Sequence, residues 1–483
     1  MYGKRARKGL AVNPGFRFAR ATILLSAAAL LCGPGVGAPS ARLTESGFPS
    51  RDDSTGLRER TRLAGQVKAE FLHAWNGYKT YAWGHDDLRP LSKSSADWYG
   101  GSLLMTPVDA FSTMKVMHLD GEAEETKRLI LEYLSFERDL DVQVFEVNIR
   151  LLGGLLSAYQ LDGDDRFLAL ATDLGSRLLP AFDSPTGMPY RFVNLISGST
   201  SDPSNNPAEI GTLLLEFGTL SKHTEDPIYY EKAKHAVRVL FDKRSKLNLV
   251  GTIINVETGD WEDTDSHIGA RIDSYYEYLL KGALMFNDEE LRRMWETSIE
   301  AVNEYLPERL DNGLWYGQVD MNTGSRTGHF FGSLEAFFPA VLALGGDLET
   351  AAELQESCYK MWMLHGIEPE YIDYTSMEVV YDGYPLRPEN IESAYYLFHL
   401  TNDSRYLDMG KQYFDSIVEY CRNDVAYSAL RSVKTKEQND SMQSFFLAET
   451  LKYCYLLFSA EDTVDFEKTI FNTEAHPLKI WEE

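Results

Sequence analysis

An arginine and two glutamates at the start of one predicted helix are the first residues whose types and spacing could do chemistry. In the segment Tyr384–Tyr396, Arg387 comes just before Pro388, which suits a first helical turn because its missing N–H costs nothing there. Glu389 and Glu392, three residues apart, then share one helix face near the positive end of the helix dipole. The alternative is an ordinary acidic first turn on a solvated helix. Other segments that combine a carboxylate with an arginine are needed to distinguish the two interpretations.

Two other segments combine a carboxylate with an arginine in the same way. Glu146 and Arg150 lie four residues apart in an almost wholly apolar stretch, and therefore on one face of a helix. Charges on such a helix must be paired or functional. The alternative to a functional role is therefore a structural pair between Glu146 and Arg150. Asp273 follows Arg271 by two residues and is itself followed by tyrosines. Its alternative role is to cap the helix.

The C-terminal part of the sequence adds more acids among apolar and aromatic residues. Glu449 lies in an apolar predicted helix, and Glu474 follows Thr473 in the closing segment Phe471–Leu478. Such a cluster suits a neutral polyol, because carboxylate oxygens accept bonds from hydroxyls and rings stack on the C–H face of a sugar. A carboxylic acid with a carboxylate opposite can also cleave a glycosidic bond.

Helical periodicity accounts for most of the chain that must position these acids. From Leu57 on, apolar residues recur at helical spacing, and no long run of β-branched alternation appears. A turn containing Asp recurs at a nearly constant interval that fits two helices and their connections, at Asp164, Asp226, Asp288, Asp347 and Asp403. Helices are expected over 52–82, 105–119, 122–135, 144–161, 164–177, 207–222, 226–242, 269–285, 287–304, 330–345, 348–365, 389–401, 403–420 and 440–457.

These fourteen helices make seven hairpins, which could form an open solenoid or a closed toroid. Closure is favoured, because the helices that carry acids come from remote parts of the chain and their charges converge only around a common centre. The predicted fold class is therefore all-α, a toroid of seven helical hairpins. Gly- and Pro-rich connections at 183–207, 247–269 and 311–328 alternate with the tight turns, and long loops on a rigid scaffold are where binding is usual.

Taken in chain order, these segments resemble glycoside hydrolase family 47, the class I α1,2-mannosidases. The likeness extends from His73–Tyr78 and Trp83–Asp86 to Asn472–Pro477, and so through the entire chain that follows the N-terminal segment. The resemblance implies an (α/α)7 barrel. It also implies an exo-acting hydrolase that removes terminal α1,2-linked mannose from high-mannose glycans or manno-oligosaccharides, with inversion at the anomeric carbon.

The resemblance also implies roles for individual residues. Glu146 matches the catalytic acid, and Asp273 and Glu389 match the other two catalytic carboxylates. Which of these two is the base stays open, with Glu389 favoured because its helix dipole stabilises the ionised form. Thr473 matches the calcium ligand, with Glu449 and Glu474 acting through water; its carbonyl and hydroxyl could supply two of the six to eight oxygens that calcium takes. The implied substrate-binding residues are Arg150, Arg271, Arg387, Glu392, Phe445, Glu449 and Glu209.

Two positions depart from the family pattern. Trimming mannosidases have a histidine and a cysteine where this sequence has Ser333 and Ala336. The family disulfide therefore cannot form, and Cys358, at its second position, is expected to be a free thiol. Ser333 is similar to the degradation-enhancing mannosidase-like branch, so the alternative function is a mannose-binding or quality-control protein with weak or no hydrolysis. A sugar isomerase or lyase would need a histidine or tyrosine base, which the motifs lack.

Composition limits the compartment and the partners. Residues 1–38 have the basic start, short apolar run and small-residue end of a cleaved export signal; 39–55 are expected to be flexible and 56–483 to be the catalytic domain. Without the signal, 41 Lys and Arg face 73 Asp and Glu, a net charge of −32. Such a charge repels nucleic acid and anionic membranes but not a neutral glycan.

We expect an exported monomer in the periplasm, the extracellular space or the secretory lumen. Its cysteines lack metal-ligand spacing, and geometry decides whether Cys421 and Cys454 pair.

Overall fold

The computed structural model describes residues 54–460 and 463–481. The predicted export signal over 1–38 lies outside these residues. So does the predicted flexible segment 39–55, except for its last two residues, which begin the first helix. In the described ranges, no helix is both long enough and apolar enough to cross a membrane.

The described residues form sixteen α-helices, with two π-turns and two 3₁₀ turns beside them. The α-helices are α1 (Ser54–Tyr81), α2 (Met105–Val116), α3 (Asp120–Tyr133), α4 (Val144–Val147), α5 (Gly153–Asp162), α6 (Asp165–Leu178), α7 (Pro207–Gly211), α8 (Leu214–Thr224), α9 (Ile228–Asp242), α10 (Asp273–Phe286), α11 (Glu289–Tyr305), α12 (Phe338–Leu344), α13 (Leu348–Met363), α14 (Glu389–Thr401), α15 (Arg405–Cys421) and α16 (Leu451–Phe458). The π-turns are Asn148–Leu152 and Phe446–Thr450, and the 3₁₀ turns are Leu179–Phe182 and Leu334–Phe337.

Seven helix pairs form a closed ring. The pairs are α2 with α3, α5 with α6, α8 with α9, α10 with α11, α12 with α13, α14 with α15, and α16 with α1. The inner helices α2, α5, α8, α10, α12, α14 and α16 contact one another in this order, and the π-turn before α16 returns to α2. Because the ring closes on itself, the predicted toroid of seven hairpins is confirmed.

Inner and outer helices differ in how much of their surface is buried. In the inner helix α2, every residue except Lys115 is buried. In the outer helix α11, only one face is buried, with Leu291, Met294, Trp295 and Val302 among its members. A helix apolar all round belongs in the interior and an amphipathic one belongs at the surface, so these patterns place the helices in two layers.

The recurring Asp turns join the two layers. In the turn between α10 and α11, Asn287 ends α10 with φ of 50°, in the left-handed region that stops a helix. Asp288 then caps α11 by accepting from the backbone N–H groups of Glu290 and Leu291. Asp164 and Asp347 cap α6 and α13 in the same way. The repeated turn is thus a helix stop followed at once by a helix start.

The longer connections carry short antiparallel strands in small sheets. The strands are β1 (Asp87–Arg89), β2 (Ser94–Ala96), β3 (Asp141–Gln143), β4 (Phe192–Asn194), β5 (Thr200–Ser201), β6 (Ser204–Asn205), β7 (Ile253–Asn255), β8 (Trp261–Asp263), β9 (Asp265–Ser266), β10 (Pro307–Leu310), β11 (Gly313–Tyr316), β12 (Gln318–Asp320), β13 (Arg326–Gly328), β14 (Phe330–Gly332), β15 (Tyr371–Asp373), β16 (Glu378–Tyr381), β17 (Leu430–Ser432), β18 (Glu437–Gln438), β19 (Thr469–Phe471) and β20 (Pro477–Lys479). The sheets are β1-β2, β3-β4-β5, β6-β7-β8, β13-β12-β9, β10-β11, β14-β15-β16, β17-β18 and β19-β20. Most of these strands precede inner helices, so they lie around one end of the ring.

Three predicted helices begin later than expected. In the helix predicted over 330–345, the first residues instead form the strand β14. They do so because they pair with β15, which lies about forty residues later in the chain. The helix predicted over 440–457 starts at its π-turn, because Met442 bridges to Leu88 instead. The helix predicted over 269–285 starts at Asp273, after Arg271 has taken a left-handed φ of 79°.

The C-terminal β19–β20 hairpin packs into the ring. Asn472 at its tip donates to the carbonyl of Ile149 at 3.0 Å and to Glu216 at 2.8 Å, and Ser157 donates to the carbonyl of Pro477 at 2.9 Å. Gly153, at the start of α5, is needed here, since a Cβ would lie 2.6 Å from the Asn472 amide nitrogen. The last motif of the sequence is thereby held against the inner helices.

Candidate active site

Three carboxylates from different inner segments line one cavity. Glu146 lies in the short helix α4, while Asp273 and Glu389 are the first residues of α10 and α14. All three lie in a first helical turn, where the dipole favours negative charge. The cavity has a volume of about 290 Å³.

The cavity brings together every residue that the sequence singled out for the site. Its lining includes Glu146, Arg150, Glu209, Arg271, Asp273, Arg387, Glu389, Glu392, Phe445, Glu449, Thr473 and Glu474. These residues come from positions more than three hundred apart in the chain, and only the closed ring makes them neighbours. Their individual roles stay predictions.

Arg150 connects the predicted acid to the C-terminal motif. Its Nε donates to Oε2 of Glu146 at 2.9 Å, and its NH1 donates to Oε1 of Glu474 and approaches Asp109 at 3.5 Å. Burial alone would lower the pKa of Arg150, but the charges of Glu474, Glu146 and Asp109 raise it well above its ordinary value. The ion pair between Glu146 and Arg150, which was the structural alternative to a functional role, is therefore present, and it lies inside the cavity.

Asp273 and Glu389 have similar electrostatic surroundings. Burial raises the pKa of each to about 7, and the Arg387 guanidinium partly opposes the shift in both. Arg387 NH1 lies 3.9 Å from Oε1 of Glu389, whose Oε2 is buried without a hydrogen-bond partner. Asp273 accepts from its neighbour Ser274 and does not cap α10, which has no side-chain cap. The preference for Glu389 as base stays a prediction.

Phe445 lies close to two of the three arginines that line the cavity. The guanidinium carbons of Arg150 and Arg387 lie 5.8 and 5.9 Å from the centre of its ring. The ring is almost fully buried and lines the cavity. A flat apolar face bordered by hydrogen-bond donors suits the C–H face and the hydroxyls of a sugar ring.

A second group of carboxylates lines the cavity together with Thr473. Glu392, Glu449 and Glu474 are all at most 9% exposed. Burial, followed for Glu449 by the charges of Glu474, Glu389 and Glu392, raises the pKa of Glu449 well above its ordinary value. Burial likewise raises the pKa of Glu474 well above its ordinary value, although Arg150 opposes this shift. So many acids at one place call for a cation.

The donor atoms at this place fit calcium. Thr473 lines the cavity, and its backbone N–H donates to the Tyr278 hydroxyl at 3.2 Å, while its carbonyl and hydroxyl are oxygens of the kind calcium prefers. Within the described ranges, no three His, Cys, Asp or Glu side chains are arranged to hold a metal directly. A cation here would therefore be held by Thr473 and by water, with the carboxylates around it.

Sequence reasoning did not single out several residues of the site. Glu277 lines the cavity and pairs with the buried Lys281 four residues later, which is the same signal that identified Glu146 and Arg150. Glu370, which binds Arg387 and so fixes its guanidinium, lies in a connection, where no periodicity marks it. Asp109 is also paired within the core, with His476 at 3.2 Å.

Irregular backbone accompanies the site. Arg150 and Glu449 each lie in a π-turn, a conformation that is frequent at functional sites. Arg271 and Leu386 have φ angles of 79° and 73°, where side chains other than glycine are strained, and they lie two and three residues before the predicted catalytic carboxylates Asp273 and Glu389. The strain occurs where the chain turns sharply to present Asp273 and Arg387.

The cysteines that the structure describes are unpaired, which agrees with the expectation for Cys358. Cys358 is buried and free, as predicted, and so are Cys421 and Cys454. Ala336 and Ser333 are fully buried, and the Ser333 hydroxyl has no hydrogen-bond partner among the described residues.

Comparison with known proteins identifies a family. The model of glycosyl hydrolase family 47 matches residues 70–480. Alpha-mannosidase I MNS4 from Arabidopsis thaliana is 39% identical over 463 residues, which cover 91% of this chain and 73% of that protein. ER degradation-enhancing alpha-mannosidase-like protein 2 from Homo sapiens is 36% identical, with 89% of this chain and 78% of that protein covered.

The solved structures agree with this match. An alpha-1,2-mannosidase from Trichoderma reesei superposes with a TM-score of 0.82 at 28% sequence identity, covering 90% of this chain and 100% of that one. The barrel is therefore shared with a protein named as an alpha-1,2-mannosidase, and the sequence similarity extends to a protein named as an alpha-mannosidase.

Proposed function

The chain belongs to glycosyl hydrolase family 47 and is accordingly a mannosidase, and we propose that it is a calcium-dependent, inverting exo-α1,2-mannosidase. The single observation that carries the proposal is the convergence of Glu146, Asp273 and Glu389 in one cavity with Arg150 and Arg387. Carboxylates from separate helices, backed by arginines and an aromatic ring, are what acid–base cleavage of a glycoside needs.

The shape of the ring supports removal of a terminal residue. The C-terminal hairpin packs among the inner helices, and Thr473 at its tip forms part of the cavity lining. The strand-bearing connections surround the other end. A substrate thus enters from the loop end, and only the end of a chain reaches the acids.

In this proposal each catalytic carboxylate has one task. Glu146 gives its proton to the glycosidic oxygen as the bond breaks, while Arg150 keeps the carboxyl in position. Glu389 or Asp273 takes a proton from the water that attacks the anomeric carbon from the opposite face, which inverts it. Arg387 favours the ionised form of that base.

The metal proposal rests on the oxygens around Thr473. Its carbonyl and hydroxyl would hold calcium, and Glu449 and Glu474 would act through water. When bound, the cation would offset the charge of the surrounding acids and coordinate hydroxyls of the sugar. Outside the metal site, Phe445 would stack on the ring, Glu392 would accept bonds from its hydroxyls, and Glu209 and Arg271 would contact outer sugars.

Hydrolysis of α1,2-mannobiose, followed by proton NMR, tests the proposal. We expect mannose to be released with the β-anomer first, and α1,3- and α1,6-mannobiose to be cleaved far more slowly. The α-anomer appearing first would overturn inversion. No release from α1,2-mannobiose would favour the second candidate, a mannose-binding quality-control protein, which the similarity to ER degradation-enhancing alpha-mannosidase-like protein 2 and the presence of Ser333 support.

Export is also part of the proposal. The basic, apolar and small-residue pattern of residues 1–38 supports it. Cleavage after Ala38 would be seen by N-terminal sequencing of the secreted protein.

A further inference from the structure

A second pocket lies next to the catalytic cavity. It has a volume of about 340 Å³, and its lining includes Phe330, Tyr371, Tyr381, His267 and Glu335. The residues belong to β14, β15 and β16 and to the segments beside them. The assigned catalytic and metal-binding residues lie outside its lining.

The aromatic residues of this pocket share one face of the β14-β15-β16 sheet. Tyr371 pairs with both Gly332 and Tyr381, and Phe330 pairs with Asp373, so Phe330, Tyr371 and Tyr381 have the same orientation. On the opposite face, Phe331 and Ile372 are buried in the core. The outer face of a half-buried sheet is ordinarily polar, whereas this one exposes Phe330 by 43% and Tyr381 by 63%.

The pocket is built rigidly. Gln318 accepts the Phe330 N–H at 3.0 Å and donates to the Phe330 carbonyl at 2.7 Å, which fixes this strand to its neighbour. Glu335 accepts the Gly332 N–H at 3.1 Å, and Asp265 accepts from the hydroxyl of Thr327. The aromatic rings therefore stand on a paired sheet and not on a free loop.

The same two chain segments line both pockets. His267 lines the second pocket, and Ala270, three residues later, lines the catalytic cavity. Glu335 lines the second pocket, while its neighbour Leu334 lines the catalytic cavity. The pockets thus lie within a few residues of each other at the loop end of the ring, and one extended ligand could occupy both.

The chemistry of the lining selects the kind of ligand. Exposed aromatic faces favour an apolar face of the ligand, and the hydroxyls of Tyr371 and Tyr381 with the carboxylates of Asp265 and Glu335 offer hydrogen bonds. The carboxylate of Asp265 repels an anion, whereas burial raises the pKa of the Glu335 carboxyl to about 8 and leaves it largely uncharged at neutral pH. A neutral ring with C–H faces and hydroxyl groups, which is a hexose, meets all of these conditions.

We propose that this second pocket binds another hexosyl residue of the same oligosaccharide whose terminal mannose enters the catalytic cavity, and that it confers a preference for longer glycans. The inference rests on the proposed function and extends it to substrate selection. Phe330 and Tyr381 are positioned to stack on the outer sugar, and neither touches the reacting bond.

Two substrates and three variants test the inference. Steady-state kinetics are measured on α1,2-mannobiose and on a free high-mannose oligosaccharide, with the parent and with Tyr381→Ala, Phe330→Ala and Tyr133→Ala. Tyr133 is the matched control because its ring is 59% exposed and lies in neither pocket. We expect both pocket variants to raise KM for the oligosaccharide about tenfold, a change of about 1.4 kcal/mol. Their kinetics on mannobiose, and both activities of Tyr133→Ala, remain those of the parent.

The possible failures are distinct. Oligosaccharide KM values within twofold of the parent would overturn the second pocket, as would an effect seen only with a glycoprotein substrate, which would indicate a polypeptide ligand. If the parent cleaves neither substrate, the proposed function fails separately. The pocket is then tested by calorimetric affinity for the oligosaccharide, where equal binding by the parent and Tyr381→Ala overturns it and weaker binding by the variant supports it.

Discussion

The guanidinium of Arg150 bridges Glu146 and Glu474, donating to Oε2 of Glu146 at 2.9 Å while its NH1 contacts Glu474. Glu146 comes from the first third of the chain and Glu474 from its last ten residues. The bridge therefore links the predicted catalytic acid with the predicted calcium motif. Both parts of the site depend on one buried arginine, and a change at either end is expected to affect the other.

Removing the proposed catalytic carboxyl groups should abolish most of the activity without unfolding the barrel. We expect Glu146→Gln, Asp273→Asn and Glu389→Gln each to lower kcat by about 10²- to 10⁴-fold, the range of a general acid or base. Circular dichroism should be unchanged, and Glu137→Gln, at an exposed acid, serves as the control. A variant that keeps its turnover within threefold of the parent would remove that residue from the mechanism.

Arg387 should set the pH at which the catalytic base ionises. Burial raises the pKa of Glu389 and of Asp273 to about 7, and Arg387 opposes this shift. A base works only when it is ionised, so kcat/KM falls as the pH drops below its pKa. Without the positive charge, the ionised form is less stable and the pKa is higher. Arg387→Gln should thus move the acidic limb of the pH profile upward by about one unit or more.

A matched variant separates this effect from a general loss of activity. Arg271→Gln removes an exposed arginine of the same cavity that is not among the main causes of the pKa shift of Glu389. It should lower the rate on oligosaccharides and leave the midpoint of the acidic limb in place. An acidic limb that stays in place or moves to lower pH in Arg387→Gln would contradict the assignment.

Local patterns predicted most of the helices and singled out most of the charged residues of the candidate site, whereas the roles of these residues came from the family resemblance. Charges on apolar helices identified Glu146 and Arg150, and the repeated Asp turns follow from capping, which needs only neighbouring residues. The strand Phe330–Gly332 was missed because its partner Tyr371–Asp373 is forty residues away, and pairing at that distance leaves no local period. Glu370 was missed for the same reason, since its role depends on Arg387, seventeen residues later.

The cysteines should be three unpaired thiols in the described part of the chain. Cys358, Cys421 and Cys454 are all buried, and burial raises the pKa of each thiol above its ordinary value. Thiolates are the reactive form, so the folded protein should react slowly with a thiol reagent and the denatured protein should show all three groups. The melting temperature should be the same with and without reductant. Fewer than three titratable groups in the denatured mature protein would show a disulfide.

Removal of calcium should abolish activity, and calcium binding should depend on the hydroxyl of Thr473. Thr473→Val removes the hydroxyl at nearly constant volume, whereas Thr473→Ser keeps the hydroxyl and is the matched control. We expect calorimetry to show that the parent and Thr473→Ser bind calcium, and that Thr473→Val has a much lower affinity for it. Since a ligand that binds only the folded state stabilises it, calcium should raise the melting temperature of the first two proteins more than that of the third.

Activity should follow the same order as binding. A chelator should inactivate the parent, and calcium should restore activity better than magnesium, whose smaller octahedral shell fits poorly to a site built from one threonine and water. Glu392, Glu449 and Glu474, which burial and repulsion from neighbouring carboxylates disfavour as anions, should become easier to ionise when calcium is bound. Full activity in thoroughly metal-stripped protein would refute the metal site and, with it, the function assigned to the C-terminal hairpin.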